Sequence, residues 1–177
     1  RALWQRRMTQ ALAEGLIVGD TIRCPWHHAC FNLKSGEATC APATFALSTW
    51  KVEQKDGKIF VHEKNEAKNP DRKPPASAPK SIVIVGGGAA GFAAAEMLRR
   101  RGFVGSITML SNDSDLPVDR PNVSKDYLAG NAPEDWMPLR DEAFYKDNRI
   151  DLRLNTDVAF IDTKTKQVVT AKGDNIG

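Results

Sequence analysis

Three sets of residues in this chain have types and spacings that could do chemistry. Gly86, Gly88 and Gly91 follow the pattern Gly-x-Gly-x-x-Gly. That spacing suits a backbone turn admitting a pyrophosphate: the first glycine permits the tight turn, the second lets phosphate approach, and the third lets a following helix pack close. Ala89 and Ala90 complete the turn, where free N–H groups at a helix start would face the anion. Cys24 and His27 form a Cys-x-x-His pair, one thiolate and one imidazole with metal-ligand character. Arg120 and Lys125 stand in a long loop over residues 116–130 and could supply cations to a second cofactor half. Between the glycines and that loop, Asp113 lies 22 positions beyond Gly91. A carboxylate at that distance is placed to accept hydrogen bonds from ribose hydroxyls, although Asp113 and Asp115 are both also suited to capping a turn.

The elements that would position these residues follow from periodicity. Residues 81–85 hold four consecutive β-branched residues, which predicts a strand buried on both faces, and the Ala-rich run after the glycines predicts a helix from about 91 to 101. Arg99, Arg100 and Arg101 complement the negative end of that helix, and Gly102 is its expected C-cap. A second strand is expected at 106–110. A helical pattern carrying Trp136, Leu139, Phe144 and Tyr145 spans 133–149, and strands follow at 150–154, 158–161 and 167–170.

The preceding region reads as small β-structure after a loosely helical start over residues 1–15. Gly19-Asp20 predicts a turn between strands 16–18 and 21–23, and a further turn falls at 34–37. Asp56-Gly57 predicts a hairpin, with Trp50, Val52, Ile59 and Val61 on an inner, core-forming face and His62 exposed. Residues 64–80 contain four prolines, many charges and no apolar periodicity, which describes an extended linker. The fold class is therefore two domains: an all-β domain over 1–63, then an α/β domain of βαβ type over 81–177.

Composition narrows the function classes. With 41% apolar and 27% charged residues the chain is globular, and its net charge of +3 is not gathered in one basic run, which argues against nucleic-acid binding. No apolar run approaches the roughly 20 residues of a membrane span, and there is no secretory h-region. Three cysteines, an odd number, argue against a disulfide framework and predict a reducing, cytoplasmic setting. The chain starts at Arg1 and stops at Gly177 in mid-pattern, so either end is expected to be a fragment boundary.

Two resemblances sharpen these readings. Cys24-Pro25-Trp26-His27, followed by Phe31-Asn32, the Gly36 turn and Pro42-Ala43, resembles the second ligand loop of a Rieske iron–sulfur domain. The resemblance implies a [2Fe–2S] cluster with Cys24 on one iron and His27 on the other. The first loop of that family, Cys-x-His, falls on Gln5 and Arg7, neither of which replaces a thiolate or imidazole. The Rieske-like domain is thus expected to be incomplete. A substitute zinc site built from Cys24, His27, Cys30 and Cys40 is the alternative donor set.

The run Leu116-Pro117-Val118-Asp119-Arg120-Pro121-Asn122-Val123-Ser124-Lys125 resembles the loop of FAD-dependent, NAD(P)H-using ferredoxin reductases of the apoptosis-inducing-factor type, with Val118 where that family has Tyr. It implies a Rossmann-type FAD domain, here truncated, in which Arg120 and Lys125 lie along the FAD pyrophosphate and isoalloxazine. Lys125 is then a candidate for catalysis beside the flavin, and Val158 would offer backbone groups to the adenine. The implied activity is electron transfer from NAD(P)H through flavin to a Rieske centre or another one-electron acceptor, such as a ferredoxin or an oxygenase component. This chain alone is expected to bind FAD weakly and to lack NAD(P)H turnover. The competing reading is a redox-inert interaction protein that keeps only the FAD-binding scaffold.

Overall fold

A computed structural model describes residues 11–43, 45–66 and 77–177. Residues 3–69 and residues 70–177 form two compact units. Most of the Pro-rich stretch at 64–80, and Gln5 and Arg7, lie outside the described residues.

In the first unit a short helical turn, Leu12–Glu14, leads into four antiparallel strands in chain order: β1 (Leu16–Val18), β2 (Thr21–Arg23), β3 (Cys30–Asn32) and β4 (Ala38–Cys40). The β1–β2 turn uses Gly19 at φ 56°, as its Gly-Asp sequence predicts. Between β3 and β4 the Asn32 carboxamide oxygen accepts from the backbone N–H of Lys34 and Ser35, an Asx turn that reverses the chain. Gly36 closes that turn at φ 72°, with the Leu47 carbonyl oxygen where a Cβ would stand. The core behind these strands gathers Ala11, Cys24, Ala29, Phe31 and Ala43, with Leu12, Ile22, Ala38 and Leu47 packed against it.

β5 (Trp50–Lys55) and β6 (Lys58–Lys64) form the hairpin expected from Asp56-Gly57, whose φ angles of 50° and 70° give a tight primed turn. Its role differs from the expectation. Every residue of both strands is exposed, including Trp50 at 48%, Val52 at 62%, Ile59 at 70% and Val61 at 67%. Alternation defines which side chains share a face, but a face becomes core only when a second layer covers it. The polar face is laced by Lys51–Glu63 at 2.6 Å and His62–Glu53 at 3.2 Å.

The second unit is a βαβ arrangement. β7 (Ser81–Val85), β8 (Ser106–Leu110) and β9 (Ile150–Arg153) form a parallel sheet in that order, and α1 (Ala89–Arg100) makes the first crossover. The β-branched run of β7 predicts burial on both faces, yet the strand is half-buried and Val85 is exposed, because it forms one edge of the sheet. β8 holds the centre, with Ile107, Met109 and Leu110 almost fully buried.

The second crossover contains a helical segment, Arg120–Asn122 continuing as Val123–Tyr127, and the helix α2 (Glu142–Asp147). The continuous helical pattern read over 133–149 is broken into a turn at Glu134–Trp136 and α2. Pro138 cannot donate in a helix interior, and Asp141 restarts the helix by accepting the Phe144 N–H at 2.9 Å. β10 (Val158–Asp162), β11 (Gln167–Thr170) and β12 (Asn175–Ile176) then form an antiparallel meander.

The arginines ending α1 do more than complement its dipole. Arg99 donates to the carbonyls of Phe103, Gly105, Asn148 and Arg149, tying the end of α1 to the start of β8 and the approach to β9. Among the described residues no helix is long and apolar enough to cross a membrane.

Candidate functional site

Parallel pairing brings the carboxyl ends of β7, β8 and β9 side by side. The Gly86 N–H donates to Leu110 O at 2.8 Å and the Ser111 N–H donates to Arg153 O at 2.9 Å, so the three strands end level. Ligands of open α/β sheets bind at such an edge.

The glycines of the turn between β7 and α1 have separate physical reasons. Gly86 has φ 114°, a conformation closed to ordinary side chains. A Cβ on Gly91 would strike Gly86 O, and one on Gly87 would strike the Ser111 side chain. Gly88 has neither constraint: its φ is −78°, and nothing lies within 4 Å of where its Cβ would be. The chain's own packing therefore leaves open space at Gly88, directly at the start of α1. No side chain caps that helix and no acidic residue occupies its first turn, so the N–H groups beginning with Ala89, Ala90 and Gly91 lack intrahelical acceptors. These unpaired donors and the open space at Gly88 fit the chemistry of a dinucleotide pyrophosphate.

β8 ends at Leu110, and buried Ser111 is the residue packed on the glycine turn. Asp113 follows two positions later; its N–H donates to Ser111 Oγ at 3.2 Å and its carbonyl accepts from Asn155 N–H. Its exposed carboxylate lies 3.8 Å from Arg120 Nη2. The chain thus brings Asp113 and Arg120, two of the sequence-predicted residues, together at the strand ends. Lys125 is exposed on the next helical turn. Val158 starts β10 and pairs with Thr170, on the meander.

Spacing alone did not reveal Asn122. It is 6% exposed, and both its Oδ1 and Nδ2 lack a hydrogen-bond partner. A buried amide in that state calls for a partner, and Asn122 stands between Arg120 and Lys125 in the same helical segment.

Behind the turn, α1 packs an aromatic and ionic cluster. Phe92 lies 5.8 Å from Phe144 between ring centroids, and Phe144 lies 5.5 Å from Tyr145. The Arg140 guanidinium stacks over Phe144 at 5.2 Å and approaches Glu96 to 3.8 Å. Burial pushes the Glu96 carboxyl up to about 6, against the opposing pull of Arg140 and Arg100. Burial also raises the Tyr145 phenol.

The Cys24–Ala29 turn is built differently. The Cys24 N–H donates to Ala29 O at 2.8 Å and the His28 N–H donates to Cys24 O at 3.0 Å, with His28 at φ 59°. Cys24 is fully buried in the core, whereas Trp26, His27 and His28 are exposed. Among the described residues no three His, Cys, Asp or Glu side chains converge on a point that could hold a metal, so the alternative zinc site is not assembled. Cys24 and His27 have the residue types of two of the four ligands a Rieske cluster needs. Gln5 and Arg7 cannot supply the others, so the donor set in this chain does not fit a complete [2Fe–2S] centre.

A parallel βαβ sheet with a glycine turn opening onto its carboxyl edge defines a dinucleotide-binding oxidoreductase fold, and the chain belongs to the pyridine nucleotide-disulphide oxidoreductase family, whose model matches residues 80–176. The Rieske [2Fe-2S] domain model matches residues 7–51, giving an all-β Rieske region followed by a reductase-type domain. Human apoptosis-inducing factor 3 is 33% identical over 173 residues, 92% of this chain and 28% of that protein. Rubredoxin-NAD(+) reductase of Pseudomonas putida is 43% identical over 94 residues, 53% of this chain and 24% of that protein. The chain thus spans about a quarter of the length of these relatives. Among solved structures, putidaredoxin reductase in its covalent complex with putidaredoxin is 34% identical with a TM-score of 0.54, covering 56% of this chain and 24% of that one. A ferredoxin reductase from Rhodopseudomonas palustris is 31% identical with a TM-score of 0.52, covering 55% and 24%.

Proposed function

We propose that residues 81–177 are the FAD-binding part of a reductase that takes electrons from NADH or NADPH and passes them to a one-electron acceptor protein of the ferredoxin kind. The open space at Gly88 carries this reading, because a glycine there has no reason inside the chain and a direct one if a pyrophosphate lies against it. Relatives whose names describe rubredoxin and ferredoxin reductases support the same reading. FAD supplies the chemistry of accepting two electrons together and releasing them singly.

In this reading the first-turn N–H groups of α1 bind the diphosphate and Gly88 admits it. Asp113 accepts hydrogen bonds from the adenosine ribose hydroxyls. Arg120, held beside Asp113, neutralises phosphate charge, and Val158 offers its backbone to the adenine. Lys125 places an ammonium along the isoalloxazine, favouring negative charge there. The buried Asn122 amide, with one donor group and one acceptor, completes its hydrogen bonds on the cofactor. A cytoplasmic setting belongs to the same reading. Because half the Rieske ligands are lacking in this chain, no electron-transfer step is assigned to Cys24 and His27. The β unit by itself is read as holding no iron–sulfur electron-transfer centre.

The test is flavin retention. The protein carrying this chain is expected to copurify with FAD or to take it up, seen as flavin absorption that survives gel filtration and as quenched flavin fluorescence. Arg120→Gln is expected to weaken FAD binding by about tenfold, the loss of one charge-assisted phosphate contact. Absence of flavin uptake by the folded protein would overturn the reading.

A further inference from the structure

The two cysteines outside the Cys24–His27 pair face each other across a ladder. Cys30 of β3 is the register partner of Cys40 of β4. Directly opposed residues on antiparallel strands have Cα atoms about 4.5–5.5 Å apart, inside the roughly 4.4–6.8 Å span of disulfide-bonded cysteines. Both are free thiols, Cys30 buried and Cys40 exposed. The neighbouring Cys40 side chain is the main cause that raises the Cys30 thiol above its ordinary value, with burial second.

We propose that Cys30 and Cys40 form a dithiol–disulfide pair, closed by exchange with a low-molecular-weight disulfide such as oxidised glutathione. Cys40, the accessible thiol, attacks as its thiolate and displaces one glutathione thiolate, leaving a mixed disulfide on Cys40. Cys30 then loses its proton, attacks the Cys40 sulfur and releases the second glutathione. The balance is two protein thiols and one glutathione disulfide giving one protein disulfide and two glutathione thiols. Cys24, fully buried, takes no part.

The bond would reach the metal-type turn. Cys30 Sγ donates to the His28 carbonyl at 3.4 Å, and the preceding Ala29 carbonyl holds the Cys24 N–H. Oxidation removes the S–H donor, so the tie to His28 is lost while β3 becomes covalently pinned to β4. The pair thus acts as an oxidation-sensitive lock next to His27, independent of the flavin reading.

The experiment uses the full chain, purified under reducing conditions and incubated with oxidised glutathione, then alkylated, digested without reductant and mapped by mass spectrometry. A Cys30–Cys40 cross-linked peptide with two hydrogens lost, and Cys24 recovered as an alkylated free thiol after unfolding, is the expected result. Cys30→Ser should instead stop at a stable glutathione adduct on Cys40, and Cys40→Ser should give neither product. A brief alkylation of the native chain should label Cys40 ahead of Cys30, showing that the fold is intact. A wild-type chain that keeps glutathione on Cys40 with Cys30 still free, a disulfide that includes Cys24, or an unreactive Cys40 would each overturn the proposal.

Discussion

The glycine turn of residues 86–91 and the cysteine–histidine turn of residues 24–29 are both tight loops next to a strand, and they are completed in opposite ways. The glycine turn is finished by its immediate neighbours: β7 before it, α1 after it and Ser111 of the adjacent strand end. Its ligand-facing groups are consecutive backbone N–H groups, so one short stretch of chain assembles them. The Cys24–Ala29 turn is also closed by backbone hydrogen bonds, yet a cluster of the Rieske kind would need side chains from a second loop as well. A site made of contiguous backbone is assembled by one short stretch of chain, whereas a site made of side chains from two loops needs both loops.

The strongest attack on this comparison is on the packing of the glycine turn. Gly91→Val should collide with Gly86 O and separate α1 from β7, at a cost of about 3 kcal/mol in chemical denaturation. An unchanged midpoint would mean that the turn is not closed as described.

The support behind α1 should show in pH dependence. Glu96 titrates at about 6 in the folded chain against 4.5 when unfolded. Below both values the group is protonated in either state and costs nothing. As pH rises from about 4.5 to 6 the unfolded chain ionises first, so stability falls across that interval, by about 2 kcal/mol. Glu96→Gln should flatten that fall, measured as denaturation midpoints at pH 4 to 7; an identical profile would place the carboxyl in a solvated setting.

Gly88→Ala separates fold from ligand. It should cost about 1 kcal/mol or less in stability, since space is open there, while weakening FAD binding at least tenfold, about 1.4 kcal/mol, by fluorescence titration. Equal FAD affinity would remove the main support for the phosphate cradle.

The smallest expected effect belongs to the other turn. His28→Gly relieves a side chain held at φ 59° and should stabilise the first unit by about 1 kcal/mol, seen as a raised unfolding midpoint. In the same unit, anaerobic incubation with iron and sulfide should leave no cluster absorption in this chain; its presence would show that the missing ligands are supplied after all.

Much of the local structure of both units was legible because its determinants are local. Gly86, Gly91 and Gly102 punctuate a strand and helix whose periods differ, and the turns at Gly19 and Asp56-Gly57 carry positive φ angles that those residue types adopt readily. The misreadings share one cause. Val52, Ile59 and Val61 alternate as a core face would, but no covering layer is encoded in alternation. The β-branched run of β7 reads as doubly buried, while its place at a sheet edge depends on which strands join it. Asn122 gave no signal at all, since an orphaned amide is defined by burial and missing partners rather than by residue type.

By itself the sequence determined most of the order and kind of the elements, the glycine turn between strand and helix and the Cys-x-x-His spacing, because each depends on residues within a few positions of one another. Tertiary structure alone decided that Ser111 closes on Gly87, that Arg120 reaches Asp113, that Glu96 is buried against Arg140 and that Cys30 meets Cys40. These depend on strand pairing and packing, which join residues far apart in the chain, and the free energy that holds them is set by burial and neighbours that no local pattern records.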